Sequence, residues 1–137
     1  GPETAHREIP VLNMLGGAPA PLERQAKRLS DRMLRKLREA QCEEAVELQV
    51  VEGASAPGGG SLPTVELPTF CVAVRPIDEH LSADGLKRAM VQEPDTPVVT
   101  RVQHDQVLFD VRTLLRDTDL DLCVAALVGA VRAGLSR

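Results

Sequence analysis

The stretch PVVTRVQHDQVLFDVR, residues 97–112, decides the fold. Apolar and polar residues alternate on either side of His104-Asp105. A period of two marks a strand with one buried face. With His104-Asp105 as the turn, Val102 faces Val107, Thr100 faces Phe109 and Val98 faces Val111. Cross-strand neighbours stand on the same side of a sheet, so these pairs form the buried face of a hairpin. Arg101, Leu108, Asp110 and Arg112 then fall on the other face.

Upstream, Thr69-Phe-Cys-Val-Ala-Val-Arg75 reads as a strand ended by Pro76, and Val46, Leu48 and Val50 alternate in another over 45–52. Between them Gly53–Pro63 reads as a loop carrying Gly58, Gly59, Gly60 and Ser61. Ser82 is placed to cap a short helix with Leu86 and Met90 on one face. A longer helix starts at Pro21, a residue suited to a first turn. Its apolar residues Leu22, Ala26, Leu29, Met33, Leu37 and Ala40 recur at steps of three and four. Arg24, Lys27, Arg28, Arg32, Arg35, Lys36 and Arg38 lie on the opposite arc. Asp117, Thr118 and Asp119 offer caps for a last helix over 118–135, apolar nearly all round and so expected to be buried on more than one side.

These elements predict one α/β (α+β) domain, a four-stranded mixed or antiparallel sheet with helices on one face. Residues 3–21 connect, 22–41 form the basic amphipathic helix, and 45–137 hold the sheet and remaining helices. Gly1-Pro2 has the look of a remnant of tag cleavage, which makes Glu3 a boundary inside a longer protein.

Composition excludes several function classes. With two Phe and neither Trp nor Tyr, the chain lacks the aromatic platforms on which bases stack. A net charge of -4 supplies no global field toward nucleic acid or membrane. No apolar run is long enough to span a membrane. Three Cys without a CxxC pair argue against a disulfide framework or zinc site and for a reducing, cytoplasmic setting.

The search for chemistry finds no catalytic constellation and no metal-ligand spacing. His6, His80 and His104 are far apart, and Cys42, Cys71 and Cys123 read as small buried hydrophobes. Asp117, Asp119 and Asp121 lack the glycine and distal Glu of a calcium loop, so helix capping explains them better. The glycines at 58–60 are followed by no Lys, so this is not a phosphate-binding P-loop. The loop is either a surface connection or a place where backbone closely approaches a ligand or another domain. The basic helix is either a solvated face or a surface for an RNA backbone.

Four motifs in order carry a family resemblance. Ile9-Pro-Val-Leu-Asn-Met-Leu15 resembles the IPxLxML segment that follows the large domain of bacterial selenocysteine synthases. Gly58-Gly-Gly-Ser-Leu-Pro63 with Glu66-Leu-Pro-Thr69 resembles their GGGSLPxxxLPS, Thr69 replacing Ser. Pro97-Val-Val-Thr-Arg-Val102 resembles PVxAR, and Leu108-Phe-Asp-Val-Arg-Thr113 resembles LLDLRT. The resemblance covers residues 9 to 113. It implies the C-terminal small domain of a fold-type-I pyridoxal-phosphate enzyme, an oligomeric transferase that turns seryl-tRNA(Sec) into selenocysteinyl-tRNA(Sec) with selenophosphate. The cofactor is the electron sink. The implied partners are the large pyridoxal-phosphate domain of the same polypeptide and tRNA(Sec). Gly58, Gly59, Gly60, Ser61, Arg101 and Arg112 would then face the cleft, and Arg24, Arg28, Arg32 and Arg35 would meet tRNA. Arg101 and Arg112 divide evenly between binding a substrate carboxyl or phosphate and pairing structurally with Asp110.

The family's Schiff-base lysine precedes the IPxLxML segment and has no counterpart in this sequence. Lys27 and Lys36 belong to the polar face of the basic helix, and Lys87 stands beside Arg88. The chain alone is therefore expected to bind no pyridoxal phosphate and to be inactive. Two other readings are a stand-alone binding or scaffold domain and the small domain of a related pyridoxal-phosphate lyase acting on a small molecule.

Overall fold

The computed structural model describes residues 19–55, 67–91, 100–114 and 116–136. The motif at 9–15 and the glycines at 58–60 with Ser61 lie outside the described residues, as does Val98.

Helix α1 spans Ala20–Glu39 and buries Ala26, Leu29, Met33 and Leu37, the apolar stripe the sequence predicts. It ends through Gln41 at φ 60, where the Cys42 N–H donates to the Leu37 carbonyl at 2.9 Å. A short 3-10 turn, Glu43–Ala45, leads into β1, Val46–Ser55. Strand β2, Leu67–Pro76, pairs antiparallel with β1 from Val46↔Pro76 to Ser55↔Leu67. β1 therefore runs three residues past its expected end at 52. Gly53-Ala-Ser55 has little strand propensity, but it faces Leu67, Pro68 and Thr69, and partners outweigh propensity in a sheet.

Helix α2 spans Ala83–Val91, and the Ser82 hydroxyl accepts the Gly85 N–H at 3.0 Å. Then come β3, Thr100–Gln103, and β4, Gln106–Asp110. Their register is Thr100↔Phe109, Arg101↔Leu108 and Val102↔Val107, as the alternation predicts. His104 and Asp105 sit at φ 53 and 60, the left-handed pair of a type I′ turn, whose twist matches that of the flanking strands. β4 also pairs antiparallel with β2, Cys71 opposite Asp110, which gives the order β1-β2-β4-β3 with every pair antiparallel. After a 3-10 turn at Val111–Thr113, helix α3 spans Asp117–Leu135. Asp119 caps it by accepting the Arg116 N–H at 3.2 Å.

The three helices lie on one face of the sheet. Phe70, Val72 and Val74 of β2 and Val107 and Phe109 of β4 join them in one core. The opposite face carries a smaller cluster, Cys71, Ala73 and Leu108, with Val51 against it. α3 packs against both α1 and α2 through Leu120, Cys123, Leu127 and Val131, as its apolar content predicts, while Leu122 is 41% exposed and Ala125 and Gly129 are open to solvent. No described helix is long and apolar enough to cross a membrane.

Candidate functional site

The face of the sheet opposite the described helices holds a polar cluster built around Asp110. The β2–β4 register puts Asp110 beside Cys71, two residues along β2 from Thr69. Thr69 and Asp110 are both buried. The Thr69 hydroxyl donates to Asp110 Oδ1 at 2.7 Å, and the Arg112 backbone N–H donates to the same oxygen at 2.9 Å. Arg101 Nη1 stands 3.9 Å from Asp110 Oδ2, and its Nη2 donates to the Ala54 carbonyl at 3.1 Å. The Arg112 side chain reaches the Pro68 carbonyl through Nη2, while its buried Nε has no hydrogen-bond partner among the described residues.

The structure thus brings Arg101 and Arg112 to one carboxylate, by different means. Arg101 approaches Asp110 with its guanidinium, whereas Arg112 bonds it through the backbone and spends its side chain on β2. Each arginine also holds a strand end bordering residues 56–66: Arg101 holds Ala54 of β1, Arg112 holds Pro68 of β2. Sequence reasoning missed Thr69 and the hub role of Asp110. Alternation places both on one face, but nothing local shows that residues 41 apart in sequence will touch.

Cys71 lies under this cluster, with its Sγ 3.8 Å from Arg101 Nη2. Burial, seconded by Asp110, pushes its thiol up to about 11 despite the opposing guanidinium. Cys123, in the main core, is pushed up to about 12 for the same first reason, and Cys42 is raised as well. All three cysteines are free and buried, as small hydrophobes would be. They are protonated at neutral pH and unsuited to act as nucleophiles, because reactivity belongs to the thiolate. Among the described residues no three His, Cys, Asp or Glu side chains converge on a metal position.

The second candidate surface is the basic arc of α1, which is less free than its sequence suggests. Arg28 pairs with Asp117 at 2.6 Å, and Arg32 pairs with Asp121 at 3.0 Å and Asp117 at 3.5 Å. α3 lies alongside α1, so acids that read as helix caps in the sequence reach across to α1. Arg24 and Arg35 remain exposed, and among the described residues neither makes an ion pair.

The three lysines are the candidate cofactor anchors of this chain. Lys27 and Lys36 are 63% and 56% exposed and pair with Glu23 and Glu39. Lys87 is half-buried on α2, beside a shallow hollow lined with Asp84, Arg88 and Val91. A Schiff-base lysine needs an apolar pocket or a cationic neighbour that lowers its proton affinity inside a cleft. None of the three has that setting, so these residues do not fit a covalently held pyridoxal phosphate.

Comparison with known proteins completes the assignment. The family model described as L-seryl-tRNA selenium transferase matches residues 1–115. L-seryl-tRNA(Sec) selenium transferase of Aquifex aeolicus is 38% identical over 84% of this chain and 23% of its own length. The Moorella thermoacetica protein of the same name is 39% identical over 98% of this chain and 28% of its own length, and that of Desulfomicrobium baculatum is 36% identical over 99% and 26%. The chain spans about a quarter of the length of these relatives. On the match across most of its residues, the chain belongs to the L-seryl-tRNA selenium transferase family.

Proposed function

We propose that this chain is the C-terminal small domain of a pyridoxal-phosphate-dependent L-seryl-tRNA(Sec) selenium transferase. The whole polypeptide exchanges the hydroxyl of seryl-tRNA(Sec) for selenium drawn from selenophosphate, works in the cytoplasm and is a homo-oligomer. The family match over residues 1–115 is the observation that carries this reading. The exposed or unsuited settings of Lys27, Lys36 and Lys87 support a reading in which the cofactor is attached in a large domain of the same polypeptide.

The domain's own contribution is to close the active-site cleft with the sheet end that bears Arg101 and Arg112. Two details support that role. Arg101 is one-third exposed, and its 3.9 Å approach to Asp110 is too long for a hydrogen bond, which leaves donors for a phosphate or carbonyl of the substrate. The orphan Arg112 Nε calls for an acceptor, because an unmade buried hydrogen bond costs about 1–3 kcal/mol. The exposed cations Arg24 and Arg35, with Arg28 and Arg32 beside them, offer the tRNA backbone a contact without base readout.

The test uses the full-length protein and a version lacking residues 19–137. Deletion is expected to leave the cofactor absorbance band while abolishing formation of selenocysteinyl-tRNA(Sec). One equivalent of pyridoxal phosphate trapped by borohydride on Lys27, Lys36 or Lys87 of the isolated chain would overturn the assignment.

A further inference from the structure

Half of the residues on the solvent-facing arc of α3 are small or apolar, where an ordinary surface helix is mostly polar. At about 100° per residue, Thr118, Ala125, Gly129 and Ser136 line up along its centre. Leu122 and Ala133 flank that line on one side, Asp121 and Arg132 on the other. All eight are exposed. Leu122 is one of three large hydrophobic side chains left exposed among the described residues.

Gly129 sharpens the point. A glycine inside a helix costs about 0.5–1 kcal/mol relative to alanine. Gly134 has an internal reason to lack a Cβ, which would run into the Leu81 Cδ2 methyl. At Gly129 a Cβ would meet nothing within 4 Å. The chain's own packing does not ask for glycine there, whereas close approach of a second backbone from outside does.

The arc also matches itself. A two-fold axis crossing α3 at the level of Leu127 sets positions equally far before and after that residue opposite each other. It brings Ala125 of one copy against Gly129 of the second, and Thr118 against Ser136. Such an axis keeps the two sides of the arc separate. Within one residue of the same axis, Leu122 then meets Ala133 and Asp121 meets Arg132. One axis therefore gives backbone approach at the centre, an apolar contact on one side and an ion pair on the other. The carboxylate of Asp121 is 71% exposed even with Arg32 at 3.0 Å, and Arg132 makes no ion pair among the described residues. A parallel arrangement would set like charges and like helix ends together.

We infer that the exposed face of α3 is a self-association surface whose occupant is the α3 of a second copy of this chain, packed antiparallel about a two-fold axis. Such contacts are isologous, so each favourable pair occurs twice. One helix pair buries less than the standard interface of about 1,600 Å², so the dimer is weak and concentration-dependent.

Sedimentation velocity on the chain, from micromolar to millimolar concentration, tests this. A reversible monomer–dimer equilibrium is expected. Gly129→Leu adds a side chain in open space, so the fold should hold by circular dichroism while the dimer dissociation constant rises about tenfold or more, equivalent to 1.4 kcal/mol. Ala125→Glu gives a second block at the centre. Asp121→Arg should weaken the dimer, and adding Arg132→Asp should restore it, a rescue that no effect within a single copy produces. A chain that stays monomeric at millimolar concentration, or a dimer indifferent to both Gly129→Leu and Ala125→Glu, overturns the inference. The second result would assign self-association to another surface and leave the α3 face to other segments of a longer polypeptide.

Discussion

Asp110 offers the sharpest test of the polar cluster, because two substitutions separate its charge from its geometry. Oδ1 accepts two hydrogen bonds, from Thr69 at 2.7 Å and from the Arg112 N–H at 2.9 Å, while Oδ2 faces Arg101 at 3.9 Å. Asp110→Ala removes both acceptors and strands a buried hydroxyl and a backbone N–H. Hydrogen bonds to a charged group contribute about 1.5–3 kcal/mol each, so the loss should be about 3–6 kcal/mol, a large share of a typical domain's 5–15. Asp110→Asn keeps a carbonyl oxygen where Oδ1 stands but turns both bonds into neutral ones, at a cost of about 1–2 kcal/mol. Urea titration followed by circular dichroism reads the difference. With a slope of about 2 kcal/mol per molar, the Ala variant should shift its midpoint by roughly 1.5–3 M and the Asn variant by roughly 0.5–1 M. Equal shifts would mean that charge, not acceptance by Oδ1, dominates, and the geometric account would be wrong.

Further predictions rest on other features. Because burial holds the folded thiols of Cys71 and Cys123 at about 11 and 12, above the ordinary 9.0, the stability they give is complete at neutral pH and is lost as pH rises past the unfolded value toward the folded ones. Urea midpoints should therefore fall above about pH 9, and Cys71→Ala with Cys123→Ala should flatten that fall; a profile unchanged by the double variant would contradict it. Gly129→Ala should raise the melting temperature of the monomer by the equivalent of about 0.5–1 kcal/mol, while Gly134→Ala, forced against Leu81, should not; equal gains would refute the packing argument. Arg24→Glu with Arg35→Glu should weaken tRNA binding by the full-length protein and lower its salt slope by roughly one to two units without loss of stability. Arg28→Glu with Arg32→Glu should also destabilise the isolated chain, because those residues bridge to α3. Wild-type binding and salt dependence in the first pair would make the arc a solvated face.

What was legible in the sequence was local. The hairpin at 100–110 and its register follow from alternation about His104-Asp105, and the α1 stripe follows from its spacing. What was not legible joins distant residues. The order β1-β2-β4-β3, the Thr69–Asp110 bond and the Arg28–Asp117 pair depend on tertiary placement that no local period encodes. The open face of α3 was hidden for a different reason. Ala, Gly, Val and Leu score alike on a wheel whether they meet a core or a partner, so composition could not tell which arc stays exposed.

Helices α1 and α3 run in the same direction, since Gln25 bonds the Leu114 carbonyl, Arg28 meets Asp117 and Arg32 meets Asp121, each partner 89 residues further along. For a chain emerging from the ribosome this sets a waiting time. α1 is made before α3, and its seam with α3 cannot close until α3 has left the exit tunnel. At about 5–20 residues per second that interval is roughly 5–20 s, during which Arg28 and Arg32 lack Asp117 and Asp121 and the flank of α1 stays uncovered.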